Sequence, residues 1–172
     1  MTKIRDNVPR PLIPLTNGKV SIVSSEDYEE IIKHNWHAAY SKGRWEARRG
    51  VHINGKQYLL MMHRAIMGLD KKDNRYVDHI DGDSLNNKRE NLRICTNQEN
   101  QYNQKGPNKD GSSGYRGVTW SKKNGAWQVS VRKGGVLYHG GYFNAPQIAA
   151  ISRDTLAIKL HGRFANLNFK RR

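Results

Sequence analysis

A single cysteine, Cys95, stands in this 172-residue chain. Alone it forms no internal disulfide, and it excludes zinc ribbons and fingers built on paired cysteines. Long apolar runs are absent too. Hydrophobic residues make up 36% of the chain and lie in stretches of a few residues, far short of the ~20 that a membrane helix needs. The first thirty residues carry Lys3, Arg5, Asp6, Arg10 and Lys19 and no apolar stretch of signal-peptide length. Secretion is therefore not expected, and the expected location is cytoplasmic. Carboxylates are scarce: 15 Asp and Glu face 30 Lys and Arg, a formal net charge of +15. An excess of this size selects a polyanion. Nothing resembles a long basic amphipathic helix, so nucleic acid is favoured over a membrane surface. The length allows one domain or two small ones.

The charge is uneven. Residues 1–60 carry ten basic and six acidic residues, residues 61–105 eight and seven, and residues 106–172 twelve and two. The balanced middle, rich in Asp, His and Asn, has the composition of a site. The basic last third has that of an anchor on phosphate.

Three prolines in 9–14 predict an extended or irregular start. Gly18–Val23 reads as a strand. Ser24 and Asp27 stand at capping-box spacing for a helix to about His34 that buries Tyr28, Ile31 and Ile32. Strands are expected over 36–40, 44–49, 51–53 and 56–60, with Asn54-Gly55 as a hairpin turn. A short helix follows within 59–67. Strands over 76–80 and 92–95 flank a turn-rich loop, and Thr96 with Glu99 predicts a capped helix through Asn103. Residues 104–114 contain no apolar side chain and read as a linker. Beyond it, strands over 115–120, 126–133 and 136–143 precede a helix that Pro146 opens, with Asn144 as its cap. Ile148, Ala149, Ile151, Leu156, Ala157 and Leu160 form the stripe expected to cover the sheet. Trp120 could be core or phosphate-side.

The middle third carries the chemistry. Phosphodiester hydrolysis needs a base for water and a hard cation for the phosphate. A histidine suits the base, and carboxylate or amide oxygens suit Mg²⁺ or Mn²⁺. On a strand, Asp78 and His79 point to opposite faces and could serve different atoms of one phosphate. The ordered set Asp78-His79-Ile80-Asp81-Gly82, Asn86-Asn87, Glu90-Asn91-Leu92-Arg93 and Glu99-Asn100 resembles the HNH nuclease motif in its phage and intron homing form. Met62-His63-Arg64 resembles the histidine–arginine element that often precedes it. The resemblance covers about 60–103. It implies His79 as general base, Asp78 and Asn100 as metal ligands, and Asn91 as the asparagine that holds the loop and orients the base. Asn100, where other branches carry His, suits Mg²⁺ better than Zn²⁺. His63 is either a packed or phosphate-touching histidine or a further catalytic group. Arg64 and Arg93 are candidate DNA contacts. Asp81 and Asp83 are read as turn residues.

In the last third, Trp127, Val129 and Val131 alternate with Gln128, Ser130 and Arg132. One face is thus apolar and one polar, and a three-stranded sheet can lie in the major groove. Gly114-Tyr115-Arg116-Gly117-Val118, Trp127, Gly141-Tyr142-Phe143, Ala149-Ala150, Gly162-Arg163-Phe164-Ala165 and Leu167-Asn168-Phe169 resemble the DNA-binding domain of plant ethylene-response factors (the Apetala type), a module also attached to phage and bacterial HNH nucleases. The resemblance implies that Arg116, Thr119, Ser130, Arg132, Leu137 and His139 face DNA and that Trp127 and Phe143 are core. Thr119, Ser130 and Leu137 stand where the plant proteins have more Arg and Trp, and Gly140 stands where an apolar residue is usual.

The expected fold is α+β: a ββα-metal (HNH) nuclease core with an N-terminal β-rich extension (1–103, motif core about 60–103), a linker (104–114), and a three-stranded antiparallel sheet packed on one helix (115–172). The expected activity is HNH-type hydrolysis of double-stranded DNA with a divalent cation, by a homing endonuclease of phage or mobile-element origin. Its place would be the cytoplasm of a bacterial or phage-infected cell. A non-catalytic DNA-binding regulator with a degenerate HNH fold is the alternative, and an RNA-directed nuclease ranks below it. No heptads or evident interface are present, which favours a monomer.

Overall fold

Two hairpin turns organise the first half of the chain. Asn54-Gly55, and also Lys42-Gly43, place both central residues at positive φ, the geometry of a type I′ turn between twisted strands. In the computed structural model, which describes residues 11–103 and 113–169, these turns join β3 (His37–Ser41), β4 (Arg44–Ile53) and β5 (Lys56–Met61). The two strands expected over 44–53 are one, because Gly50 stays in register opposite Leu59. The prolines near the start do not prevent pairing: β1 (Leu12–Pro14) lies antiparallel to β2 (Val20–Val23). β2 in turn pairs parallel with the two-residue β7 (Asn86–Asn87), so the N-terminal segment braces the motif loop.

Ser24 occupies the N-cap of α1 (Ser25–Ile31) but makes no side-chain cap. Its Oγ accepts from the Arg89 backbone N–H at 2.9 Å, and Asp27 receives the Arg89 guanidinium through Nε and Nη2. The expected capping box is thus replaced by ties to the motif loop. The helix is shorter than expected, and Ile32 is exposed. α2 (Met62–Ile66) follows β5, and β6 (Tyr76–His79) pairs antiparallel with β8 (Leu92–Cys95). Ile13, Val23, Ile31, Trp36, Met62, Ile66, Val77 and Leu92 form the first core.

The chain divides into two compact units after Cys95. α3 (Asn97–Asn103) therefore groups with the C-terminal unit, ahead of the boundary expected in 104–114, of which 104–112 lie outside the described residues. Within that unit the Tyr102 ring stacks on His161 at 3.9 Å and the Asn166 amide donates to the Asn103 carbonyl. The capping box at its start forms as expected: Glu99 N–H donates to Thr96 Oγ1, and Thr96 N–H to Glu99 Oε2.

Strands β9 (Val118–Ser121), β10 (Ala126–Lys133) and β11 (Val136–Phe143) make an antiparallel sheet with β10 central. β9 begins later than expected, since Gly114 and Gly117 both adopt positive φ. α4 (Pro146–His161) packs on the sheet, with Ala145 rather than Asn144 at its N-cap position. Its buried face is Ala149, Ala150, Arg153, Asp154 and Ala157, while Ile148 and Ile151 point outward. Small side chains, not the expected isoleucines, let the helix approach the sheet. The second core is Val118, Val129, Ala149 and Ala150, with Trp127 and Phe143 against it. Among the described residues no helix is long and apolar enough to cross a membrane.

Candidate active site and nucleic-acid interface

Asp78 and Arg93 are direct cross-strand partners on β6 and β8, so their side chains share a face. Asp78 Oδ2 accepts from Arg93 Nε at 2.8 Å and Nη2 at 2.6 Å, and both side chains are nearly enclosed. His79 follows on β6. Its Nε2 lies 3.1 Å from Asn87 Oδ1. Asn87 Nδ2 donates to Ser21 Oγ at 2.8 Å, and Ser21 Oγ donates to the Leu85 carbonyl at 2.9 Å. The hydroxyl proton is thus committed to Leu85, so Ser21 accepts from the amide and the Asn87 oxygen faces the imidazole. Nε2 therefore carries the ring proton, and Nδ1 keeps the lone pair. Asn87 and Ser21 are fully buried. The sequence offers one signal for Asn87, the Asn86-Asn87 pair in the motif; Ser21, sixty-six residues away, offers none.

Asn91 holds the loop itself. Its Oδ1 accepts from Asp81 N–H, and its Nδ2 donates to Asp81 Oδ1 and to the Asn86 carbonyl. Its backbone carbonyl accepts from Ile80 N–H. The two tasks expected of Asn91 are thus divided: Asn91 closes the loop, and Asn87 meets the histidine. Burial opposes ionisation of Asp81, but hydrogen bonds from the Asp83 N–H and the Asn86 and Asn91 amides hold its carboxyl below the usual range. Asp81 accepts from Asp83 N–H and Asp83 from Leu85 N–H, both as turn-forming contacts.

His63, on α2, stands edge-on to His79 with ring centroids 5.0 Å apart. Burial pushes its pKa down to about 3, with smaller contributions from His79 and Arg64. Burial also lowers His79, against the opposing effects of Asn87, Asp78 and Asp81. Both imidazoles are neutral at pH 7. Arg64 turns away from them and donates to the carbonyls of Asp70, Asp73 and Arg75 at 2.6–2.9 Å, bracing that loop. Its guanidinium is a loop brace and that of Arg93 a counter-ion to Asp78, so neither is the open DNA contact expected. Asn100 sits within α3, its N–H donating to the Thr96 carbonyl.

In the second unit, the register sets Gln128 opposite Thr119 and Tyr142, Ser130 opposite His139, and Arg132 opposite Leu137. Thr119, Ser130, Arg132, Leu137 and His139 therefore share one face. Gln128 joins them, with Nε2 2.9 Å from His139 Nδ1; it and Tyr142 extend the expected set. Arg116 lies outside the sheet, in the turn before β9, its backbone held on both sides by the Asn168 amide. Trp120 is 46% exposed and lies edge-on to Trp127. Gly140 fits a bulge in β11, where a Cβ would collide with Val129 and press on Leu156. Its occurrence in place of an apolar residue is steric.

Residues 70–102 match a family model described as HNH endonuclease. The chain is 37% identical over 90 residues to "Protein 3.8" of Escherichia phage T7, covering 52% of this chain and 73% of that protein. It is 28% identical over 158 residues to "Uncharacterized HNH endonuclease L560" of Acanthamoeba polyphaga mimivirus, covering 88% and 75%. No solved structure matches the chain significantly. Residues 70–102 are thus an HNH endonuclease domain by similarity, and the mimivirus relative supports a nuclease.

Proposed function

We propose that the chain is a metal-dependent HNH endodeoxyribonuclease of homing type, from a phage or mobile element, with the motif core over about 60–103 and the C-terminal segment as an ethylene-response-factor-like DNA anchor. The observation that carries the reading is the tautomer of His79, whose Nε2 donates to Asn87 Oδ1 and whose Nδ1 carries the lone pair. His79 accepts the proton of the attacking water at Nδ1. Asn87 holds the ring while it becomes imidazolium. Neutral His63 beside it places no positive charge against His79 before the step.

Among the described residues no group of three His, Cys, Asp or Glu side chains could hold a metal. A sparse oxygen set still fits Mg²⁺ or Mn²⁺, because Mg²⁺ keeps several of its waters. Asp78 is the residue of the first unit that would hold the ion; the other expected ligand, Asn100, belongs to the second unit. When bound, the cation neutralises charge on the scissile phosphate and the departing 3′ oxygen. Arg93 orients Asp78 through its Nε and Nη2 hydrogen bonds. The products are a 5′ phosphate and a 3′ hydroxyl.

The Asp78–Arg93 ion pair is also what an inert, DNA-binding relative would display, and metal dependence separates the two readings. Cleavage of duplex DNA should require added Mg²⁺ or Mn²⁺, vanish in EDTA, return on re-addition, and fall by at least about 10²-fold in Asp78→Asn. Undiminished cleavage in EDTA would refute metal dependence, and DNA binding without cleavage under every cation would favour the regulator.

A further inference from the structure

A cavity of about 510 Å³ opens in the second unit where β9 stops short of β10. β9 pairs β10 only through Val129; beyond it the Ser130 N–H donates to the Gly117 carbonyl. Arg116, Arg132, Arg153 and His161 line the cavity, together with Gln98 and Gln101 of α3, and among the described residues no carboxylate does. Arg153 is 4% exposed. Its Nη1 donates to Asp154 and to the Asn166 carbonyl, and its Nε is buried with no hydrogen-bond partner among the described residues. Gly117 makes room for it: a Cβ there would lie 3.2 Å from Arg153 Cγ and Nε and closer still to the Ser130 carbonyl. Asp154, the neighbouring acid, is occupied by Asn168 and Phe169 of the C-terminal segment as well as by Arg153. His161 Nε2 lies 3.0 Å from the Arg132 carbonyl, so it carries the proton, and its Nδ1 is buried without a partner.

A buried donor without a partner costs about 1–3 kcal/mol, more when it belongs to a charged group. Cations crowded together in a cavity without a carboxylate add repulsion. A tetrahedral oxyanion relieves both, and guanidinium forks match phosphate oxygens. We infer that this cavity is a phosphate-binding site, walled on one side by the α3 amides. Its phosphate comes either from a nucleic-acid backbone or from free solution. The backbone source rests on the DNA-nuclease reading; the phosphate chemistry does not. A backbone phosphate seated there touches both the DNA-facing strand β10 and the helix that carries Asn100.

The test uses the full chain, the variant Gln98→Glu/Gln101→Glu, and the control Ile148→Glu/Ile151→Glu, which adds the same charge on the outer face of α4. All four positions are exposed, and thermal melts confirm folding. Two readouts are taken: the imidazole NMR signals of His161 during titration with inorganic phosphate, and duplex DNA affinity against salt. The expected result is a His161 response that the cavity variant loses and the control keeps. The slope of log K against log salt should also fall by ~0.9 in the cavity variant relative to the control. A His161 response with equal slopes assigns the site to free phosphate. No response together with equal slopes overturns the site. A chain that answers phosphate but binds no DNA refutes the nuclease reading and leaves the site standing.

Discussion

The proposed chemistry rests on few side chains, and most of them are fixed by others far away in sequence. Asn87 reaches His79 because Ser21 orients its amide, and Ser21 arrives on β2. Asn87→Ala should lower cleavage by ~10²-fold with DNA affinity unchanged, and Asn87→Asp, which still accepts from Nε2, should recover part of it. Equal rates for Asn87→Ala and the native chain would remove it as a positioning residue. Because burial lowers the His79 pKa, the acid limb of the cleavage profile should lie below pH 6.5, the ordinary histidine value. His63 sets a stability prediction. Its folded pKa, about 3, lies beneath its unfolded value of 6.5. Between these values the unfolded chain binds a proton that the folded chain does not, so stability falls as pH drops through that window. The slope is at most about 1.4 kcal/mol per pH unit, and denaturant unfolding of His63→Gln should show a flatter profile. Asp78, His79 and Asn91 were legible in the sequence because an ordered motif carries them. Ser21 was not, because hydrogen-bonding across sixty-six residues leaves no local pattern. Arg64 and Arg93 looked like DNA contacts because sequence records a cation but not the carbonyls or carboxylate that occupy it.

Turn chemistry and capping made most elements readable. β8, β10, β11 and α4 fall within the bounds their Gly, Pro and alternation signals set, and α3 carries the capping box that Thr96 and Glu99 announce. The misreadings share a cause: tertiary partners overrode local preference. Ser24 gives its oxygen to Arg89 rather than to its own helix. In α4 the sequence shows isoleucines at helical spacing, yet Arg153 and Asp154 are buried in their place because Asp154 ties down Asn168 and Phe169. Gly140 has the same lesson in reverse, since its value lies in having no side chain. Gly140→Ala should destabilise the second unit by about 1–3 kcal/mol through collision with Val129, read as a lower midpoint in denaturant. An unchanged midpoint would mean that the bulge opens freely.

For the whole molecule, a charge of +15 draws the chain to any polyanion, so binding alone is weak support for a nuclease. Cleavage is the discriminating property. The charge excess lies chiefly in the last third of the sequence, while the candidate histidine lies in the nearly balanced middle. Neither fact identifies a reaction without the histidine. The most direct measurement of the central claim is relaxation of supercoiled plasmid by the purified chain with Mg²⁺, beside His79→Ala. Asn87 and Ser21 remain in place in that variant, so folding and DNA binding should persist while nicking disappears. Relaxed or linear DNA from the native chain and none from His79→Ala is the predicted result. Equal nicking by both proteins would contradict His79 as the base.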